Sequence, residues 1–369
     1  GGPPGRYRPA MAFHVPAIDI GPYVEPTRGA EAHAARAANA ARAHAARADV
    51  AEALDEACRT VGFVQVTGHG VPDDVQAGLA RAMDDFFGLP LEAKSAYRAA
   101  PAINRGYTPP RTESLSRSLG LVPAGRMNDF FEAFNVGVTA DDHPGLRLPT
   151  DIYAGNVWPD VPGFASRVDA YRRHAERVAR TMTRIFADAL GVAPDFFAGL
   201  TDHSADVLRM NNYALPPGEV DLDGELVGMS EHTDYGIVTV LWADREPGLQ
   251  VLGPDGAWHD VMPDDGALLI NLGDLTARWT NERWVSTVHR VVPPLVNGTV
   301  RRRRSAAYFH DGNHDALIET IGTCVPTGAQ PLYPPVTVAA HVAAKLAGSR
   351  AGAPSPVGGR EAARVKAAR

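Results

Sequence analysis

The chain has 369 residues, 45% of them hydrophobic, enough for a large core in one extended domain or two. A net charge of −7 argues against nucleic acid as a main partner, and no apolar run is long enough to cross a bilayer. The two cysteines, Cys58 and Cys324, lie far apart and suggest no disulfide framework; with no charged-then-apolar signal segment, the chain reads as cytoplasmic.

Residues 1–12 are Gly/Pro-rich and read as a disordered leader. Residues 13–160 read as an amino-terminal region that mixes helix and strand. Val15 to Ile20 suits a short strand, and the Ala/Arg-rich stretch from 28 to 61 suits a helix ended by Gly62. Phe63 to Val66 reads as a strand and His69-Gly70-Val71-Pro72 as a turn, with His69 bonded to backbone. Asp73 or Asp74 is expected to cap a helix running through Phe87, which Pro90 stops. Residues 95–160 show little periodicity.

Residues 161–346 read as the core region. Val168, Tyr171, Ala175, Val178, Met182, Ile185 and Phe186 recur three and four apart, which predicts a long scaffold helix over 163–190 ended by Gly191. A shorter helix is expected around Asp195 to Leu200. Short strands are then expected at 208–213, 237–242, 249–252, 258–261, 267–272, 285–291 and 305–309. Turn signals such as Pro216-Pro217-Gly218 and Pro254-Asp255-Gly256 separate them. The fold class is therefore α+β, mainly β: a double-stranded β-helix, or jelly roll, with flanking helices and an amino-terminal α/β extension. A helix to about Leu346 closes the core, and 347–369 read as a disordered tail.

The chemistry concentrates between Ser230 and Ser305. In extended backbone, residues i and i+2 share a face. His232 and Asp234 can therefore grip one ion from one strand end, and a distant His289 can complete the set from another strand. Two histidines and a carboxylate on one face of an octahedron form a mononuclear non-haem iron(II) site with open positions for a chelating cosubstrate and O2. Arg303 and Ser305 are again i and i+2, and a guanidinium fork beside a hydroxyl makes a carboxylate receptor. In Arg301 to Arg304 the expected pattern is a strand start with one arginine facing inward.

These residues resemble the isopenicillin N synthase-like group of iron(II)/2-oxoglutarate-dependent oxygenases. The resemblance extends to Gly62 through Pro72, to Phe86-Phe87-Gly88-Leu89-Pro90, and to Arg105-Gly106-Tyr107. It continues through Asn211-Asn212-Tyr213, Asn271-Leu272-Gly273-Asp274 and Tyr308-Phe309-His310. It implies a dioxygenase that uses Fe(2+), 2-oxoglutarate and O2 to oxidise an unactivated C–H bond of a small molecule, releasing succinate and CO2. Hydroxylation, desaturation and cyclisation all remain open. Arg303, Ser305, Tyr213 and Asn211 would bind 2-oxoglutarate. In this group, the segment 95–160 crosses the mouth of the active site. Arg105, Tyr107, Phe130, Glu132 and Phe134 are therefore the substrate-side candidates, with Arg105, Arg111 and Arg126 as possible partners of a substrate carboxylate. Asp274 is read as structural. Some relatives share the same motifs without using 2-oxoglutarate, so that alternative stays open, as does a non-catalytic jelly-roll binding module. A monomer is expected, because no apolar stripe is left over, and the composition suits a role in secondary metabolism.

Overall fold

The computed structural model describes residues 13–24, 33–100, 102–112, 115, 119, 129–214, 228–292, 295–296 and 299–351. The expected leader over 1–12, the turn at Pro216-Pro217-Gly218, Arg126 and the tail from 352 onward lie outside them. In chain order the strands are β1 (Ala17–Asp19), β2 (Phe63–Thr67), β3 (Gly106–Thr108), β4 (Glu132–Gly137), β5 (Val207–Tyr213), β6 (Met229–His232), β7 (Val238–Ala243) and β8 (Leu249–Leu252). There follow β9 (Trp258–Asp260), β10 (Leu268–Leu272), β11 (His289–Val291), β12 (Leu295–Val296), β13 (Thr299–Val300), β14 (Arg303–His310), β15 (Leu317–Ile318) and β16 (Val336–Thr337). The helices are α1 (His33–Thr60), α2 (Asp73–Phe87), α3 (Leu91–Ser95), α4 (Phe164–Leu190), α5 (Asp274–Trp279) and α6 (Val338–Ala351).

Two sheets form the core. The larger has eight strands in the order β1-β2-β10-β7-β14-β5-β4-β3, and the smaller has four in the order β6-β11-β8-β9. This is the expected jelly roll. Strands from before residue 160 lengthen the large sheet at both edges, β1 and β2 on one side and β3 and β4 on the other. The amino-terminal extension is thus built into the same sheet as the core.

Helices α1, α2 and α4 cover the outer face of the large sheet. The apolar stripe read from 163–190 is the one that packs, with Val168, Tyr171, Ala175, Val178, Met182 and Phe186 all buried. The helix ends on Gly191 in the left-handed region at φ 64°, where glycine carries no Cβ penalty. A second apolar cluster fills the space between the sheets. It includes Phe63, Phe130, Phe131, Tyr213, Met229, Leu249, Val251 and Val291, and it surrounds the candidate site.

Three local expectations are corrected. Helix α2 starts at Asp73 with Pro72 in the capping position and no side-chain cap; proline preset at the turn replaces the expected aspartate cap. The helix near 195–200 shrinks to a single 3-10 turn at Ala198–Leu200. The strand expected over 285–291 forms only at His289–Val291. Its first part is drawn to α1, where Val285 donates to the Cys58 carbonyl at 2.9 Å. Gly62 allows that approach, since a Cβ there would stand 2.3 Å from the Val285 carbonyl oxygen.

Candidate active site

His232 ends β6 and His289 begins β11, and the two are direct partners across this antiparallel pair. Asp234 lies two residues past the end of β6. Its Oδ1 stands 3.8 Å from His232 Nε2 and 3.7 Å from His289 Nε2. All three ligand atoms lie within 4.8 Å of one another, and all three residues are buried. The structure therefore brings together the three residues read from the sequence as a ligand set.

The surroundings aim these donors. His232 Nδ1 lies 2.8 Å from the Ser230 carbonyl, and His289 Nδ1 lies 3.1 Å from that of Thr287. A carbonyl only accepts, so each Nδ1 must carry the proton and each Nε2 keeps its lone pair. Burial first, and then the neighbouring His289, hold His232 below the ordinary imidazole range, which favours a neutral ring. Asp234 Oδ2 accepts from Asn271 Nδ2 at 2.6 Å and from the Thr239 hydroxyl. That leaves Oδ1 on the side of the two imidazoles. This is the division of labour expected of metal ligands with outer partners, and the donor set suits iron(II).

Close backbone approach keeps the site compact. A Cβ on Gly236 would lie 1.9 Å from Asp311 Oδ1, and one on Gly273 would lie 2.1 Å from the Gly236 carbonyl oxygen. Only glycine at both positions lets the turn after Asp234 nest against the start of α5. There the Asp274 amide donates to the Asp234 carbonyl at 2.8 Å.

A cavity runs from the triad between the two sheets. One wall is the pair β5–β14, in the register Arg303↔Tyr213, Ser305↔Asn211, Ala307↔Arg209 and Phe309↔Val207. All eight of these residues line the cavity, as the two-residue period of a strand requires. Arg303 is 2% exposed, and its Nε and Nη1 find no hydrogen-bond partner among the described residues. Its guanidinium carbon sits 5.4 Å from the Tyr213 ring centroid. Burying a guanidinium without partners is costly, so this fork is shaped for an anion, and a carboxylate matches it. The neighbouring arginines turn outward: Arg302 and Arg304 both bond Asp84 of α2.

The opposite end of the cavity carries Asn104, Val207, Arg209, Phe309 and Asp311, with Val342 and Leu346 from α6. Burial, and then the charges of Asp206 and Asp234, push Asp311 up to about 8.

The substrate-side expectations are corrected. Among the described residues lining the cavity, none of Arg105, Tyr107, Phe130, Glu132 and Phe134 is found. Arg105 is buried and donates to the carbonyls of Asn104, Val138 and Ile152, so it ties a loop together. Glu132 accepts from Lys94 at 2.6 Å, Tyr107 at 2.5 Å and Asn212 at 2.8 Å in a buried polar network. Phe134 packs on Phe86 and Phe164 under the helices, and Phe130 lies in the cluster between the sheets. Both faces of β4 are buried. Arg111 is exposed, at the left-handed φ of 62°. His69 is a turn histidine as expected, with Nε2 2.7 Å from the Gly266 carbonyl.

Some residues at the site were given no role from sequence. Thr239 and Asn271 hold Asp234, and Asn271 was visible only as part of a motif. Arg209 and Phe309 follow from continuing the i, i+2 count along β5 and β14. Val342 and Leu346 carry no local signal, because the docking of α6 is a tertiary fact.

Comparisons with known proteins agree with this geometry. Residues 15–161 match the family model described as non-haem dioxygenase in morphine synthesis N-terminal, and residues 205–312 match that of the 2OG-Fe(II) oxygenase superfamily. The chain is 35% identical over 299 residues to the 2-oxoglutarate-Fe(II) type oxidoreductase hxnY of Emericella nidulans, covering 79% of this chain and 82% of that one. It is 32% identical to validamycin A dioxygenase of Streptomyces hygroscopicus subsp. limoneus, with 79% of each chain covered. Among solved structures, a full-length Neurospora crassa protein in complex with alpha-KG and thymine aligns at a TM-score of 0.73 and 27% identity, covering 90% of this chain and 96% of that one.

Proposed function

The chain belongs to the 2-oxoglutarate/iron(II) oxygenase superfamily, and on that premise we propose that His232, Asp234 and His289 hold iron(II) while Arg303, Ser305 and Tyr213 receive the distal carboxylate of 2-oxoglutarate. The protein is a 2-oxoglutarate-dependent dioxygenase acting on a small molecule. Iron(II) and 2-oxoglutarate, when bound, supply the oxidising chemistry: dioxygen is consumed, the keto acid becomes succinate and CO2, and a substrate C–H bond is oxidised. The observation that carries the assignment of residues is the buried Arg303 guanidinium, whose Nε and Nη1 have no partner among the described residues, lining the same cavity as the triad.

The chain's own residues do the rest. Ser230 and Thr287 fix both imidazoles with Nε2 toward the metal, and Asn271 and Thr239 fix Asp234. Asn211 lines the same wall as Arg303, opposite Ser305 in the strand register. Phe63, Met229, Leu249 and Val291 surround the centre with apolar surface and limit water. The substrate lies against Val207, Phe309, Val342 and Leu346, with Asn104, Arg209 and Asp311 as its polar neighbours. This suits a partly apolar metabolite with a polar edge, and the relative named for validamycin A supports a place in secondary metabolism. Among the described residues no helix is long and apolar enough to cross a membrane. The two free cysteines support a reducing compartment, and we read the chain as a monomer.

Anaerobic addition of iron(II) and then 2-oxoglutarate, followed by visible absorption, tests the assignment. A weak charge-transfer band in wild type that H232A and R303Q each abolish is the expected result. A band that survives both substitutions overturns it.

A further inference from the structure

Lys345 is a lysine in a place where leucine would pack. It lies on α6 with 0% exposure, one position from Leu346 of the cavity wall. Burying an ammonium group is costly unless it is paired. Its partner is Asp274, at 2.6 Å from Nζ to Oδ2, itself 3% exposed. Nζ also lies 3.4 Å from the Thr233 hydroxyl. Thr233 is the residue between the two candidate ligands of the His-x-Asp pair.

Asp274 reaches both segments that carry the ligands. Its Oδ2 accepts from Thr233 Oγ1 at 3.2 Å, and its backbone amide donates to the Asp234 carbonyl at 2.8 Å. Its Oδ1 accepts from Ser286 Oγ at 2.8 Å, three residues before His289. His341, one turn earlier on α6, places Nε2 3.9 Å from the same carboxylate. One stripe of α6, His341 and Lys345, therefore grips the ligand loops, while the adjacent stripe, Val342 and Leu346, walls the substrate end.

We propose that Lys345 is a positioning residue for the metal centre, so that docking of α6 and ordering of the ligand loops are one event. The helix that shapes the substrate end thereby governs how firmly iron is held. This rests on the reading of His232, Asp234 and His289 as iron ligands. No charge on the ligands themselves is involved: Lys345 neutralises Asp274, and Asp274 holds Thr233, Asp234 and Ser286 in place.

The test is iron(II) affinity measured anaerobically by competition with a chromophoric chelator, together with amide hydrogen exchange over residues 230–236 in the metal-free protein. K345M is expected to weaken iron binding about 10- to 100-fold, the usual effect of losing an outer-shell partner, and to speed exchange over that segment. K345R is expected to recover part of the loss, and A343Q, on the exposed face of α6, to leave iron affinity within about twofold of wild type. The KM for 2-oxoglutarate is expected to stay level in K345M, since Arg303 is untouched. A folded K345M with wild-type iron affinity and exchange overturns the proposal. Should K345M not fold, K345Q carries the test, and wild-type affinity with unchanged exchange in that variant overturns it equally. If H232A also binds iron like wild type, the ligand reading has failed instead.

Discussion

His232 and His289 are direct partners across β6 and β11, with ring centroids 4.2 Å apart and planes inclined at 54°. Side chains opposed across an antiparallel pair stand on the same face. Two of the three candidate ligands are thus set by strand pairing, and only Asp234 depends on a loop.

Replacing His289 with alanine is expected to leave the fold intact and remove stoichiometric iron. Metal content after anaerobic loading and desalting, beside a melting curve of the metal-free protein, checks both halves. Iron retained at wild-type level contradicts the site.

Asn271 touches Asp234 and not the metal position, so its removal gives a graded effect. N271A is expected to lower iron(II) affinity by about 10- to 100-fold while the protein stays folded. A chelator-competition titration reads this directly. An unchanged affinity means that Thr239 alone orients the carboxylate.

The Arg303 fork is expected to act on the cosubstrate. R303Q removes a buried charge-assisted pair, worth roughly 2–5 kcal/mol, and so raises the KM for 2-oxoglutarate about 30-fold or more. R303K keeps the charge but loses the planar fork, so a smaller rise is expected. Initial rates of succinate formation against 2-oxoglutarate concentration provide the check.

Glu132 now carries a stability prediction where the sequence suggested a substrate contact. E132Q leaves the Lys94 ammonium, itself 7% exposed, without its anion. Loss of one partner of a buried pair costs about 3–5 kcal/mol. Urea denaturation is expected to show that loss, while the ranking of accepted substrates stays unchanged.

This contrast says what the sequence can carry. The Arg303–Ser305 pair was legible because strand alternation projects i and i+2 to one side, and the structure keeps that relation along β14; His232 and Asp234 meet although Asp234 lies beyond the end of β6. The jelly roll followed from short apolar runs between turns. Glu132 and Phe134 misled because alternation says which residues share a face and not what covers it; helices cover one face of β4 and the inter-sheet cluster the other. Arg105 misled because a buried arginine on carbonyls looks the same in sequence as one facing a ligand. The contribution of α6 was invisible, since Lys345 meets Asp274 only after the chain has closed on itself.

Asp206 gives a prediction in pH. Burial alone would raise it, but attraction to His310 and hydrogen bonds from His310, Ser204 and Tyr308 outweigh this and hold it below the usual carboxylate range. A depressed folded value contributes stability that is present above the unfolded value near 4 and is lost as pH falls through the folded one. Denaturation midpoints are therefore expected to fall steeply below about pH 4 in wild type, with D206N less stable at neutrality and flatter in acid. Parallel profiles for the two proteins would remove Asp206 as the source.

The wall made by β5 and β14 is a ruler with two ends. In the reading proposed above, Tyr213, Arg303 and Ser305 are the end that every turnover reuses, and Val207, Arg209 and Phe309 the end that meets a particular molecule. Point changes at the second end leave the first in register, so new substrate preferences are accessible without rebuilding cosubstrate binding. A single inserted residue in β14 does the opposite. It shifts the reading frame of the strand, turns Arg303 toward α2 and breaks its register with Tyr213. Lineages that diversify on this scaffold are thus expected to vary by substitution along these strands and to confine their insertions to the loops between them.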